Sequence, residues 1–463
     1  MIAAAMLAAA LLLQRDSTGP RLVDGFESAR AWSAHPADGV KASLHADRGH
    51  TGRGLRLDFD FQGHSGYAIA RRALDLDLPA NYSLSFWIRG PAPVNTLEFK
   101  LADSTGENVW WYTERDRTFR PGWERVTIRR RQITFAWGPK GGGDLTHAAS
   151  LELVITAGQG GGKGSVWFDD LVLTPLPALG PATHAPVAHA TAAASRFRAG
   201  NAVDGDCLTA WRTPAVTPVE LTIDYGQLRE FGGVSLLWEA GRSASDYTVL
   251  VSETGHVWEQ ARRMRGGNGG RDDLFLPNKG ERYLRLVLRT AEGANGFGLR
   301  EVDLLSPETG ESLNAFWTAI ARHAPEGSYP RYLSGRRAWW TVVGLDSARE
   351  ESLINEDGAI EAGKGLFSVE PFLGDSGRLY SWADARGSTS LASGYLPLPS
   401  VTWQLPGLEL TVTAFAIGPA SSSSVVARYR VRNTSNIARA PTLYLAVRPF
   451  QVNPPWQFLN TAG

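Results

Sequence analysis

The chain has 463 residues, too many for one compact core, so about three domains are expected. Lys and Arg number 47 against 47 Asp and Glu, and this balance removes the electrostatic case for a nucleic-acid or membrane-surface partner. One cysteine, Cys207, excludes an intrachain disulfide framework and a CxxC site, while 50 Gly, 26 Pro and 16 Trp suit many short strands better than long helices.

The chain opens on MIAAAMLAAALLL, then QRDSTGP. A bilayer span needs ~20 apolar residues, so this run is too short to cross but suits a signal-peptide core. Residues 1–18 are therefore expected to direct export, to the periplasm or outside the cell. The first basic residue is Arg15, so the positive flank of a signal is missing, and a disordered tail is the alternative. No other apolar run is long enough to span a membrane.

Residues 20–177 alternate in short segments: YSLSFWIRG, NTLEFKLAD, ERVTIRRRQITF, SLELVITAG and GSVWFDDLVL. Each is bounded by Gly, Pro or Asn, as in an antiparallel sandwich. Arg129 to Arg131 are expected inside a strand, on a solvated face. The run GQGGGKGS imitates a phosphate loop, but Gly164 follows Lys163 where Ser or Thr is needed, so a hairpin loop is expected. In ENVWWYTERD, Trp110 and Tyr112 share one strand face and Trp111 takes the other. One face should be core and the other a platform that can stack on a pyranose ring.

Residues 178–195 are rich in Pro and Ala and read as a linker. From 196 to 307 the two-residue period returns in VELTIDYG, DYTVLVSETGHVW and RYLRLVLRT, a second sandwich. In ESLNAFWTAIARH, Leu313, Phe316, Trp317 and Ile320 share one helical face. Longer strands follow over 311–463, and the chain stops at Gly463 without a capping element, as a truncated sheet would.

The block from His184 to Ser306 resembles the discoidin, or coagulation factor 5/8 type C, family. NAVDGDCLTAWRT, VELTIDYG, VSLLWEAGRSASDYTVLVSETGHVW, RYLRLVLRT and GFGLREVDLLS carry the likeness in order and spacing. It implies a jelly roll, often a carbohydrate-binding module in bacteria, with a structural calcium beside a buried Trp. Carried over, Asp204 or Asp206, Thr209 and Glu301 are the candidate ligands, backbone carbonyls completing a shell of hard oxygens. An Asp-Gly turn without an ion is the alternative. Trp211 is expected in the core, and His256 and Phe297 are loop candidates for glycan contact.

More loosely, VDGFES and VWFDDLVL make the first block similar to jelly-roll carbohydrate-binding modules. That likeness implies calcium between Glu27 and Asp170, with Asp24 nearby; solvent-exposed carboxylates at strand ends are the alternative. The third block resembles the N-terminal β super-sandwich of large glycan-active proteins, whose catalytic (α/α) toroid follows. RRAWWTVVGLDSAREESLINEDGAIEAGKGLFSVEPFL and YLAVRPFQVNPPWQFL carry that resemblance.

The expected class is all-β: tandem galactose-binding-like jelly-roll β-sandwiches followed by an incomplete β super-sandwich. Glu350, Glu351, Glu356, Asp357 and Glu361 are numerous enough to suggest glycoside hydrolysis, which needs two opposed carboxylates ~5–10 Å apart. Acids in a polar loop are expected to be solvated, so no catalytic residue is assigned. The implied function is carbohydrate binding, as the non-catalytic targeting region of an exported glycan-processing protein, with a polysaccharide partner. An adhesion or surface-binding discoidin protein is one alternative. A glycoside hydrolase or phosphorylase-like enzyme, its catalytic toroid beyond this chain, is another.

Overall fold

A computed structural model describes residues 19–158, 161–177, 183–348, 350–363 and 365–453. The expected signal segment, residues 1–18, lies outside them. The described chain divides into two compact units, meeting at residues 183 and 184.

The first unit is a sandwich of two antiparallel sheets. One contains β1 (Arg21–Asp24), β3 (Lys41–Arg48), β4 (Arg53–Asp60), β6 (Tyr82–Arg89), β9 (Glu124–Arg129) and β12 (Lys163–Pro175). Their order is β3-β4-β12-β6-β9, and β1 joins the far half of β12. The other contains β2 (Ser33–Pro36), β5 (Tyr67–Asp77), β7 (Asn95–Ala102), β8 (Val109–Arg117), β10 (Thr134–Trp137) and β11 (His147–Thr156). Its order is β10-β8-β7-β11-β5-β2.

Period-two patterning explains the core. In β4, Leu55, Leu57 and Phe59 are buried between the sheets, while Arg56 and Asp58 point away. They pack with Phe86, Phe99, Leu153 and Phe168 in one continuous cluster. Two expectations fail. β9 ends at Arg129, and Arg130–Gln132 form a short 3-10 turn, so the three arginines do not share a strand. The strands on either side of the glycine-rich run, β11 and β12, lie in different sheets, so they do not pair as a hairpin; residues 159 and 160 of the run lie outside the described residues.

The second unit begins with another sandwich: β13 (Val187–Ala190), β14 (Trp211–Arg212), β15 (Val219–Trp238), β16 (Ala244–Ser252), β17 (Glu259–Arg265), β18 (Arg271–Ala291) and β19 (Gly298–Leu305). The path is β14-β19-β15-β18-β16-β17, with β13 against β15. β13 lies within the expected linker, so ordered structure starts earlier than composition indicated; four residues suffice because β15 supplies the partner. The β15–β18 ladder breaks register between Asp224 and Arg229 and again between Phe231 and Gly233, which lets one ribbon bend. Trp211 is fully buried, and its Nε1 donates to the Ala192 carbonyl at 3.1 Å.

Gly232 and Gly310 touch backbone to backbone, and a Cβ on either would collide with the other. That close approach leads into α1 (Leu313–His323), capped by Ser312, whose Oγ accepts from Ala315 N at 3.0 Å. Phe316 and Ile320 are buried and Trp317 packs on Tyr329 and Phe450, but Leu313 stays 49% exposed. Phe316 meets Phe275 of β18 edge to face at 5.5 Å.

Two further sheets complete this unit. The first orders β20 (Trp340–Val343), β21 (Ser352–Asn355), β22 (Ile360–Glu361), β23 (Ser368–Asp375) and β24 (Arg378–Tyr380), with β29 (Thr442–Arg448) also on β23. The second orders β25 (Arg386–Ala392), β26 (Leu396–Leu405), β27 (Leu408–Ile417) and β28 (Ser424–Asn433). Ile354, Leu373, Trp403, Leu410 and Val412 form their shared core. Among the described residues no helix is long and apolar enough to cross a membrane.

Candidate functional site

Sheet pairing decides which aromatic residues of the first sandwich can meet a ligand. Trp110 is 2% exposed and its Nε1 donates to the Gly143 carbonyl at 2.7 Å, so it belongs to the core. Tyr112 pairs with Phe99 on that same inner face, and burial pushes its hydroxyl up to about 12. Trp110 is enclosed and the partly buried Tyr112 turns inward against the same core, which corrects the expectation for both. Trp111 alone of the three lies on the outer face.

That face is a row of polar and aromatic side chains. Thr134, Trp111, Lys100, Glu152, Arg71 and Ser33 follow one another across β10, β8, β7, β11, β5 and β2. Trp111 meets Trp137 of β10 at 5.7 Å between centroids and 83° between planes. Trp137 is 48% exposed. Lys100 Nζ lies 5.7 Å from the Trp111 ring centre and 5.3 Å from that of Trp137, within reach of cation–π attraction. The same ammonium pairs with Glu98 Oε2 at 2.7 Å, and both residues are buried, so it is neutralised in place. Arg71 pairs with Glu152 at 2.6 Å farther along the row. The result is an aromatic corner with a charge-balanced polar floor. Trp137 escaped the sequence reading because β10 lies far from β8 along the chain.

The carboxylates near the first and last strands converge on the loop between β3 and β4. Glu27 Oε2 accepts from Arg53 N at 3.1 Å, and Thr51 Oγ1 donates to Asp170 at 3.0 Å. Fully buried Asp169 accepts from His50 N at 2.7 Å and Thr51 N at 2.9 Å. Burial raises its pKa, although these N–H groups oppose the rise. Gly49 and Gly52 permit this wrapping: a Cβ on Gly49 would strike Asp169, and one on Gly52 would strike Glu27. Asp24 is apart, accepting from Phe26 N, Trp32 Nε1 and Arg72. Asp169 was missed because two adjacent aspartates at a bulge hide which one turns inward.

In the second sandwich the Asp204–Thr209 loop gathers oxygens. Thr209 Oγ1 lies 2.8 Å from Asp204 Oδ2, 3.2 Å from the Asp206 carbonyl and 3.3 Å from the Asn201 carbonyl. One hydroxyl proton cannot serve three acceptors. Asp206 Oδ1 accepts from Leu208 N at 2.9 Å, ordinary turn chemistry. Glu301 on β19 is 8% exposed, and its Oε2 is buried without a hydrogen-bond partner. Burial first, then Asp303 and Asp204, push its pKa up to about 6. An orphaned carboxylate oxygen beside a negative, oxygen-rich loop fits a hard cation. Among the described residues no group of three or more His, Cys, Asp or Glu is arranged as a metal site, so carbonyls and the Thr209 hydroxyl would have to complete any shell.

His256 and Phe297 are not brought together. His256 is exposed in the loop beyond the Ser252–Tyr283 end of the β16–β18 pairing; Phe297 follows the opposite, Ala244–Ala291 end. Phe297 is fully buried, and its N donates to Thr213 Oγ1, which corrects its expected role as a contact. Near it, Glu239 binds Arg212 through both oxygens, and the Arg212 guanidinium lies 3.9 Å from the centre of the Phe197 ring.

The acids of the third block are mostly not solvated. Asp357 is paired with Arg331, and Glu361 is 1% exposed, accepting from Val452 N at 2.7 Å and Gly365 N at 3.2 Å. Both are held by neighbouring donors rather than standing free in a polar loop.

Together the fold and these sites define a chain of β-sandwich modules with an aromatic corner and an oxygen-lined loop. Residues 187–302 match the family model of the F5/8 type C domain, the discoidin domain. Several solved structures are similar over part of the chain. One is the Family 11 carbohydrate-binding module from Clostridium thermocellum, in complex with a β-1,3-1,4-mixed-linked tetrasaccharide. It is 22% identical over 34% of this chain and 96% of that one, with a TM-score of 0.30. Another is CpGH89CBM32-5 from Clostridium perfringens, in complex with GalNAc-β-1,3-galactose: 20% identical, 26% and 95% covered, TM-score 0.25. A third is chitosan-binding module 2 from a chitosanase/glucanase of Paenibacillus sp. IK-5, in complex with chitotriose: 22% identical, 26% and 97% covered, TM-score 0.25. No curated protein matches.

Proposed function

We propose that this chain binds carbohydrate through the outer face of its first sandwich, as the targeting region of an exported glycan-processing protein. The Trp111–Trp137 corner carries this reading. Two edge-to-face indoles give a pyranose one ring to stack on and a second as a wall. The more exposed Arg71–Glu152 pair supplies donors and acceptors for hydroxyl groups without a net field, while the buried, neutralised Lys100–Glu98 pair forms the floor of the corner. The discoidin match is compatible with the same reading, and the apolar opening of the chain supports export. Accessory modules of this kind act by proximity, holding a repetitive substrate near a tethered active site.

Calcium is the ion proposed at the Asp204–Thr209 loop, bound by Asp204, Thr209 and Glu301 with neighbouring carbonyls. Its role there is to stiffen the loop that precedes buried Trp211.

Pull-down on insoluble plant, algal and bacterial polysaccharides, with reducing-end release followed in parallel, tests the function. Retention without new reducing ends is expected, and it should fall sharply in the Trp111→Ala, Trp137→Ala double variant. Retention on a protein or anionic lipid surface, with none on any glycan, would move the reading to adhesion.

A further inference from the structure

The third block holds a pocket of about 350 Å³ at the margin of its two sheets. On one side stand Trp339 and Trp340, where the chain enters β20; on the other stand Thr389 and Ser390 of β25. β20 and β25 end their sheets, each with one partner strand among the described residues. The volume lies within the range of small-ligand sites, roughly 300–1,000 Å³.

Trp339 is 65% exposed, an unusual position for so large an apolar ring. It is nevertheless held from behind. Its N donates to Glu356 Oε2 at 2.9 Å, and its carbonyl accepts from Glu356 N at 3.2 Å. Glu356 Oε1 in turn lies 3.3 Å from Arg331 Nε, a guanidinium shared with Asp357, so one cation serves two carboxylates and the pocket wall keeps a negative character. An exposed ring on an anchored backbone loses less conformational freedom on binding than a ring on a loose loop.

The wall chemistry selects a ligand class. Trp339, Trp340 and Leu391 bring apolar surface to the lining, and Thr341, Thr389 and Ser390 are the hydroxyl-bearing residues among them. Among the described residues no Lys or Arg lines the pocket, while a carboxylate does, which disfavours anionic ligands. Alternating C–H faces and hydroxyl groups are the surface of a neutral sugar.

We infer that this pocket is a second saccharide site, for a neutral oligosaccharide, with Trp339 as its stacking platform. It is separate from the Trp111–Trp137 corner and rests on its own residues. Two sites on one chain would hold a polysaccharide by avidity, each needing only modest affinity.

The test uses the full chain carrying Trp111→Ala and Trp137→Ala, which removes the first corner. Calorimetric titration with cellotriose, xylotriose, mannotriose and laminaritriose should reveal binding of at least one. Adding Trp339→Ala should weaken that binding about tenfold or more, with an unchanged thermal midpoint. Trigalacturonate should not bind. Failure of every neutral trisaccharide to bind the double variant overturns the inference, even if the unmodified chain binds sugar. Affinity unchanged by Trp339→Ala also overturns it, as does stronger binding of a proline-rich peptide at the same tryptophan.

Discussion

Trp111 and Trp137 stand edge to face across the β8–β10 pairing, with Lys100 beneath both rings. Trp110, the chain neighbour of Trp111, lies on the opposite side of the same strand in the core. One strand thus separates an outward-facing indole from a load of buried packing by a single peptide bond.

Replacing these neighbours should therefore give opposite phenotypes. Trp111→Ala is expected to weaken polysaccharide retention sharply with little change in urea midpoint. Trp110→Ala removes a buried ring and the hydrogen bond to Gly143, at a cost of ~3–5 kcal/mol. Equal destabilisation by both changes would contradict the division of faces.

Glu301 should couple stability to calcium. An ion bound only by the folded state adds about 2.7 kcal/mol when its concentration is a hundred times its Kd. Glu301→Gln should remove that gain. In chelator the same change should stabilise the protein or leave it unaltered, because it relieves a buried charge facing Asp303 and Asp204. Thermal unfolding with calcium and with chelator reads both arms; calcium-independent midpoints in the unmodified protein would refute the site.

Gly52 should be intolerant of a side chain. Its φ is +49°, and a Cβ there would meet the Glu27 carboxylate. Gly52→Ala is expected to cost about 1–2 kcal/mol from the left-handed backbone alone, with the collision added. Exposed Gly122, with nothing near its Cβ position, should accept Ala almost freely. Comparable losses at both positions would show that the loop does not wrap Glu27 as described.

The third block should lose stability as the pH rises. Burial raises the pKa values of Asp357, Glu361 and Glu370, with Arg331 and Arg448 partly opposing the rise at the first and last. The folded state then holds these protons more tightly than the unfolded chain. Their contribution is fully present below the ordinary carboxylate pKa and is lost as pH climbs through the raised folded values. Denaturation with urea across this window should show the decline, and Glu361→Gln should flatten it. A slope of opposite sign attributable to Glu361 would reject the assignment.

How much of this was legible beforehand depends on the physical range of each signal. Alternation in VELTIDYG and YSLSFWIRG determined strands and their buried faces, because a pleated chain turns successive side chains to opposite sides. The discoidin match and the burial of Trp211 were likewise readable, since the motif around that residue is local. The same alternation placed Trp110 and Trp111 on opposite faces but could not say which face was core. That choice belongs to the second sheet, whose packing covers Trp110 and Tyr112. Trp137 joined Trp111 only through strand pairing, and Asp169 turned inward only because β12 bulges beside the Gly49–Gly52 loop. Phe297, Asp357 and Glu361 looked accessible as loop residues and proved buried. Composition and periodicity report what a short segment prefers; burial is set by what distant segments bring against it.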